Sequence, residues 1–404
     1  MGLSAYRQIF QNTSFRAFWL GFTFSDLGDA MTRVALTWYV YERTQSSEAI
    51  GWLLVCYTGP VIVGGFLAGA LLDQFDRRRV MYADNLIRGT VMLMLPVLSA
   101  MGVLELWHVY VAAAVYGFLM MISLAGGPSL IPSLVDEDQF ATANALETIS
   151  FTLAGVVGPV IAGFLIAGIG AANVIILDAL SYFTFAGVLL KIRLKDEAPA
   201  HQEAAKEKHG LRNSVQLLVK NPVLLSTTLM FMAANMGLGF LAVWLPILSD
   251  QILAGGAGLY GTLLGLMAVG ETVSSVVAGG RKFSLPLGTL ICLAQGLSGA
   301  AVGVMVAGPN LWSVGIGLVL LGVFSAPLTI WAQTLRMQII PEYLRGHTFS
   351  LLRMMMQSGG ALGGAIAGPL LPVVGIPAMI VFSAALIGVP GVVGYHVRGL
   401  RDGV

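Results

Sequence analysis

The sequence predicts an all-α integral membrane protein: twelve transmembrane helices in two halves of six, with both termini on the cytoplasmic side. Three observations lead there. Apolar residues come in runs of about 20, the length of a helix that spans a bilayer. One long polar segment interrupts those runs near the middle of the chain. Lys and Arg gather almost wholly on one side of the runs, as they do in cytoplasmic loops.

Composition narrows the class further. Of the 404 residues 56% are hydrophobic and 11% charged, with a mean hydropathy of +0.82. A soluble globular chain has roughly a quarter of its residues charged. Strands of a membrane barrel would alternate over about ten residues, and no such segments occur. The 50 glycines suit helices that approach closely in lipid. A net charge of +1 offers nothing to attract nucleic acid. Cys56 and Cys292 lie inside apolar runs, so no disulfide framework is indicated. The first run has no small-residue cleavage site and carries Asp26, Asp29 and Arg33. It reads as a retained helix rather than a signal peptide.

In chain order, spans are expected at 17–40, 50–72, 80–101, 107–128, 145–168, 172–190, 223–248, 259–278, 285–307, 312–335, 349–371 and 378–397. Charge clusters, Gly-Gly pairs and prolines mark the breaks. Segment 191–221 holds seven Lys/Arg, four Asp/Glu and two His. It is expected as a central cytoplasmic loop between an N-terminal six-helix bundle, 1–190, and a C-terminal one, 222–404. A degenerate internal similarity supports duplication: "LAGVVGPVIAG" in the fifth span and "SGGALGGAIAGPLL" in the eleventh are both glycine-rich and follow a polar turn. With the N-terminus inside, 20 of the 22 Lys/Arg fall on the cytoplasmic side, Arg88 and Arg336 among them. Arg43 is outside and Arg33 within the first span. The expected location is the inner (plasma) membrane, as a multi-pass protein working as a monomer.

The turn between the second and third spans, "GALLDQFDRRRV", packs Asp73, Asp76, Arg77, Arg78 and Arg79 between two apolar runs. Its pattern Gly69-x-Leu71-x-Asp73-x-x-x-Arg77-Arg78 resembles the signature loop of the major facilitator superfamily. Twelve spans and a long central loop agree with that fold over the whole chain. The family usually has Gly where Asp76 stands. The Asp variant is similar to the branch that contains macrolide efflux proteins and the enterobactin exporter, as are "GPSLIPSLV" and "LDALSYF". The resemblance implies secondary transport by alternating access. Physically, a carboxylate at Asp73 can accept hydrogen bonds from a helix N-terminus or pair with an arginine, for which Arg345 and Arg353 are candidates. The expected role of this set is an inner gate. Lipid anchoring by Arg77–Arg79 is the plainer alternative.

Ionisable groups inside a span are costly and mark function. Asp26, Asp29 and Arg33 are spaced three and four apart, on one helical face. They are expected to face a cavity, although Asp29 and Arg33 could simply neutralise each other. Asp178 could bind substrate or a proton, or bond to Ser181 for packing. Glu271 is the one acid within a span of the second half; pairing with Arg281 or Lys282 is its structural alternative. Asp84, Arg88 and Glu147 are expected near cytoplasmic helix ends, in interfacial or gating roles. A carboxylate sealed from water takes up a proton and releases it when water returns, which suits proton-coupled transport. The fifth span carries Ala154-x-x-x-Gly158-Pro159-x-x-Ala162-Gly163. It resembles the glycine-proline motif of the family's antiporters, with Ala at two positions where Gly is usual; close helix packing alone would also use it.

The expected activity is proton-coupled efflux of a small amphiphilic molecule of drug, macrolide or siderophore type, without a cofactor. Trp38, Phe118, Phe151, Phe231, Met232, Trp244, Trp331, Met354 and Met355 are available to line an adaptable cavity. "SDLGDAMTRVAL" also resembles the first span of ferroportin-like facilitators, so divalent metal export is a second reading, with carboxylates and Asn235 suited to hard cations. Two D-x-x-D pairs, Asp26/Asp29 and Asp73/Asp76, admit a remote third, an intramembrane prenyltransferase, but they sit at different depths. No G-x-x-x-x-G-K-[ST] loop is present to drive transport with ATP.

Overall fold

The computed structural model describes residues 3–194, 210–280, 285–341, 344–397 and 399–401, and these are helical with no strand among them. The helices are α1 (Leu3–Ile9), α2 (Thr13–Thr44), α3 (Ser47–Gln74), α4 (Arg77–Ala100), α5 (Leu106–Leu134), α6 (Phe140–Ile169), α7 (Ala171–Lys191), α8 (Gly210–Lys220), α9 (Pro222–Ile247), α10 (Gly256–Gly280), α11 (Leu287–Gly303), α12 (Leu311–Ile339) and α13 (Arg345–Gly394). Gly375, at φ 77°, kinks α13 into two helices, a conformation open to glycine without a Cβ clash.

Among the described residues nine helical stretches are long and apolar enough to cross a membrane. Neither α2 nor α4 is one of them. These two helices carry Asp26, Asp29 and Arg33, and Asp84 and Arg88. All of these but Arg33 turn inward, as the site below shows.

Local chemistry sets the helix ends. Asp76 caps α4, its Oδ1 accepting from Arg79 N at 2.8 Å. Asn221 caps α9 by accepting from Leu224 N at 2.9 Å, with Pro222 at the first helical position. Asn310 does the same for α12 at Trp312 N and Ser313 N. Prolines did not end helices where the sequence suggested it. Helix α5 runs through Pro128 and Pro132 to Leu134, because in a membrane bundle neighbouring groups take up the backbone that proline frees. Within 191–221, of which 195–209 lie outside the described residues, α8 is helical where a loop was expected. Leu218 and Ser214 are buried on its inner face, and Thr348 Oγ1 donates to Ser214 Oγ at 3.0 Å.

The chain divides into two compact units: Met1–Tyr39 with Pro60–Lys206, and Val40–Gly59 with Glu207–Val404. In the first, α4 packs on α7 and α5. Small residues allow the approach. A Cβ on Gly21 would meet Phe185 of α7 at 2.9 Å, one on Gly126 would meet Met81 of α4 at 2.8 Å, and one on Gly158 would meet Ala30 of α2 at 2.6 Å. The apolar core gathers Phe15, Phe18, Phe22, Met81, Leu130 and Phe185. In the second, α9 packs on α13, α10 on α12, and α11 on both α12 and α13. Ser47 Oγ donates to Gly368 O at 2.7 Å, and Tyr41 OH donates to Asp250 Oδ2 at 2.7 Å. Trp244, fully buried, donates from Nε1 to Ser383 Oγ at 3.0 Å.

Candidate transport site

In the first unit α2, α4, α5, α6 and α7 bring their polar side chains together. A cavity of about 190 Å³ is lined by Asp26, Asp29 and Arg33 of α2, Ser123 of α5, and the rings of Phe22 and Phe151. Those two rings meet edge to face at 5.6 Å. Ala154 and Gly155 of α6 also face the cavity and leave it room. Arg33 is exposed, and Asp29 keeps 15% of its side chain accessible.

Behind this wall stands Arg88, fully buried. Its Nε donates to Asp84 Oδ1 at 3.1 Å and its Nη2 to Asp84 Oδ2 at 2.6 Å. Nη2 also donates to Ser123 Oγ, whose hydroxyl donates to Asp84 Oδ2 at 3.0 Å. Nη1 donates to Tyr182 OH at 3.1 Å and reaches Asp29 Oδ2 at 3.4 Å. Tyr182 OH in turn donates to Asp29 Oδ1. The guanidinium lies 4.4 Å from the centre of the Tyr182 ring and 5.8 Å from that of Tyr116. One arginine thus joins α4 to α2, α5 and α7, with all its donor directions used.

The structure corrects the expectation for Asp84, Arg88 and Glu147. Asp84 and Arg88 are 1% exposed and Glu147 is 9% exposed, so each is enclosed by protein rather than facing a surface. The signal was present: Asp84 and Arg88 are an acid-first pair four residues apart in an otherwise apolar run. What sequence did not supply was the third partner, because Asp29 lies 59 residues away. Tyr182 and Ser123 were missed for the same reason. Asp29 takes Arg88 and Tyr182, so its setting is larger than a pair with Arg33. Among the described residues, Asp26 Oδ2 and Glu147 Oε1 are buried without a hydrogen-bond partner.

Asp178 is buried beneath α2, where a Cβ on Gly28 would strike it. Ser181 Oγ donates to Asp178 Oδ1 at 3.3 Å, and Thr32 lies beside it without a bond of good geometry. Gly158, Pro159 and Gly163 are buried on α6, and Gly158 sets α6 against α2 at Ala30, between the turns that carry Asp26 and Asp29 and the exposed Arg33. Glu271 belongs to the second unit. It is half-buried, and Ser325 Oγ of α12 donates to its Oε1 at 3.4 Å. Arg281 and Lys282, its proposed partners, lie outside the described residues.

In the charged turn the helix-capping role falls to Asp76, while the side chain of Asp73 lies outside the described residues. Arg77 Nη1 donates to Ser129 O at 3.0 Å and Arg78 Nη1 to Ile192 O at 3.4 Å, which pins the turn to its own unit. Arg345 donates to Met337 O at 3.3 Å, and Arg353 is exposed. Arg336 is 3% exposed, with Nη2 donating to Thr227 O at 3.3 Å and the guanidinium 4.6 Å from the Phe231 ring centre. Neither Arg88 nor Arg336 belongs in a count of loop charges.

The family described as transmembrane secretion effector, of the major facilitator superfamily, matches residues 4–402. Among curated relatives, an uncharacterized transporter of that superfamily from Sinorhizobium fredii is 24% identical over 90% of this chain and 90% of its own length. The staphyloferrin A transporter of Staphylococcus aureus is 23% identical over 81% and 82%. The enterobactin exporter of Shigella boydii is 26% identical over 88% and 85%. Among solved structures, a mutant of the nucleoside transporter NupG superposes with a TM-score of 0.74 at 13% identity, covering 94% of this chain and 98% of that one. That likeness speaks to fold alone.

Proposed function

The chain belongs to the transmembrane secretion effector family of major facilitator transporters, and from that premise we propose that it exports a small amphiphilic molecule in exchange for protons, by alternating access. It is a transporter and not an enzyme. The proposal includes twelve crossings, both termini in the cytoplasm, residence in the inner membrane, and a monomer as the working unit. Asp26 and Asp29 are the proposed proton-exchanging groups, with Arg33, Asp178 and Glu271 in supporting or substrate-binding roles. Asp73, Asp76, Arg77, Arg78, Arg345 and Arg353 are the proposed gate, and Gly158, Pro159 and Gly163 the packing seam that lets α6 shift on α2.

The observation that carries this reading is the cavity itself. Two carboxylates stand on the wall of an apolar bundle, beside aromatic rings, where a packing residue would avoid an insertion cost of ~2.5–3.5 kcal/mol per acid. Export is favoured by one named relative, the enterobactin exporter. Metal export has less to stand on: among the described residues no three His, Cys, Asp or Glu gather to hold an ion.

The test is transport by purified protein in proteoliposomes under an imposed pH gradient, with a panel of macrolides, dyes, siderophores and divalent metals. Asp26→Asn and Asp29→Asn keep the side-chain shape and remove titration. Gradient-driven movement that each variant loses is the expected result. Wild-type transport with wild-type pH dependence in both would make these acids structural.

A further inference from the structure

We propose that Arg88 is the positioning residue through which the proton on Asp29 is linked to the packing of α2 against α4 and α7, with Asp84 and Ser123 holding Arg88 in place. The inference rests on the proton-exchange reading above and assigns residues that reading does not need.

The geometry is unequal in an informative way. Asp84 grips Arg88 with both oxygens, at 3.1 and 2.6 Å, from the same helix one turn away. Ser123 closes that ring from α5. A charged fork clamped on two of its nitrogens is fixed in direction. Only Nη1 is left to face α2, and it meets Asp29 at the longer distances of 3.4 and 3.5 Å. Tyr182 of α7 bridges the two, accepting from Nη1 and donating to Asp29 Oδ1. Asp84 is therefore the static partner and Asp29 the releasable one. Asp29 is also the member that lines the cavity; Asp84 is not on that wall.

Arg88 and Tyr182 both donate to Asp29, whose two oxygens accept from them. When Asp29 takes a proton, its charge is lost and the tie between α2 and α4 with it. Arg88 does not become an orphan, because Asp84 still satisfies it. That is what separates this arrangement from a plain buried pair, whose opening would strand a charge. The remaining charged and titratable groups around the pair are Asp26 and Arg33 on α2, Tyr116 on α5, Glu147 on α6 and Asp178 on α7. Arg88 and Tyr182 are hydrogen-bonded to Asp29.

The test is an infrared titration of the full chain in lipid nanodiscs without ligand, from about pH 4 to 10. The carboxylic-acid band that Asp29→Asn removes reports the proton on Asp29. Asp84→Asn frees Arg88 from its static partner and removes a neighbouring negative charge, so the pH at which the band is half-developed falls, by about one unit. Tyr182→Phe keeps the ring and removes a donor, so that pH rises by a similar amount. Arg88→Lys keeps the charge without the fork and also raises it. Opposite movement in Asp84→Asn and Tyr182→Phe is the signature, and a role confined to packing predicts none. If Arg88→Lys does not fold, the other two decide. Shifts of the same sign, or no shift in either, overturn the inference. Absence of any band sensitive to Asp29→Asn overturns it too, while gradient-driven transport lost in Asp26→Asn would leave the proposed function standing.

Discussion

Gly158→Ala probes the seam between α6 and α2 beside the transport site. The new Cβ would stand 2.6 Å from Ala30 Cβ and 3.4 Å from Leu27 O. Carbon atoms rest at about 3.5–4.0 Å, so the two helices must part by roughly 1 Å. No flexible side-chain end can yield in their place, since Ala30 has only its Cβ. Overpacking of this kind costs about 1–3 kcal/mol. Replacing glycine inside a helix returns about 1 kcal/mol of backbone entropy, which leaves a net loss of about 1 kcal/mol. Gly168→Ala on the same helix is the control, because a Cβ there meets nothing within 4 Å. It keeps the whole return, so the two variants should differ by about 2 kcal/mol. Thermal unfolding of both proteins in one detergent reads the difference. A Gly158→Ala protein that unfolds at or above the wild type would refute the close approach of α6 and α2.

Three further outcomes are expected. Asp76→Ala should lose the cap on Arg79 N and about 1 kcal/mol of stability, whereas Asp76→Asn should keep it; equal unfolding of the two would remove the capping role. Tyr41→Phe should cost about 1 kcal/mol through the lost bond to Asp250, read by chemical unfolding against the wild type. His209→Cys, outside the described residues, should resist an impermeant thiol reagent applied to intact cells if the central segment is cytoplasmic; strong labelling would reverse the orientation.

Helix positions were legible because they rest on a local fact, runs of about 20 apolar residues. The paired acids of α2 were legible too, since charge inside an apolar run is conspicuous in one dimension. The site around them was not. Arg88 and Asp84 looked like the flank of a charged turn, because Arg77, Arg78 and Arg79 precede them closely. Their burial depends on α7 lying over α4 and on Asp29 approaching from α2, which are tertiary facts. Tyr182 and Ser123 are ordinary residues in sequence and acquire meaning only as the donors left facing two carboxylates. The same limit explains Asp76. Sequence assigned the helix-capping carboxylate to Asp73, whereas Asp76 is the residue that stands immediately before α4 and caps it.

The two buried arginines call for opposite responses to one substitution. Arg88 is enclosed by carboxylates, so Arg88→Met would strand Asp84, whose side chain is fully buried, with only Ser123 to serve it. Breaking a buried pair in this way costs about 3–5 kcal/mol. Arg336 has no carboxylate within ion-pair distance among the described residues, and its Nε has no acceptor there. It leans on the Thr227 carbonyl and the Phe231 ring. Arg336→Met removes a poorly served charge together with those two contacts, and methionine can fill the space against the ring. The gain and the loss offset each other, so stability should stay within about 1 kcal/mol of the wild type. Unfolding measurements on the two variants side by side decide the matter. If Arg336→Met falls as far as Arg88→Met, then Arg336 has an anionic partner, and the second unit holds a charge pair of its own.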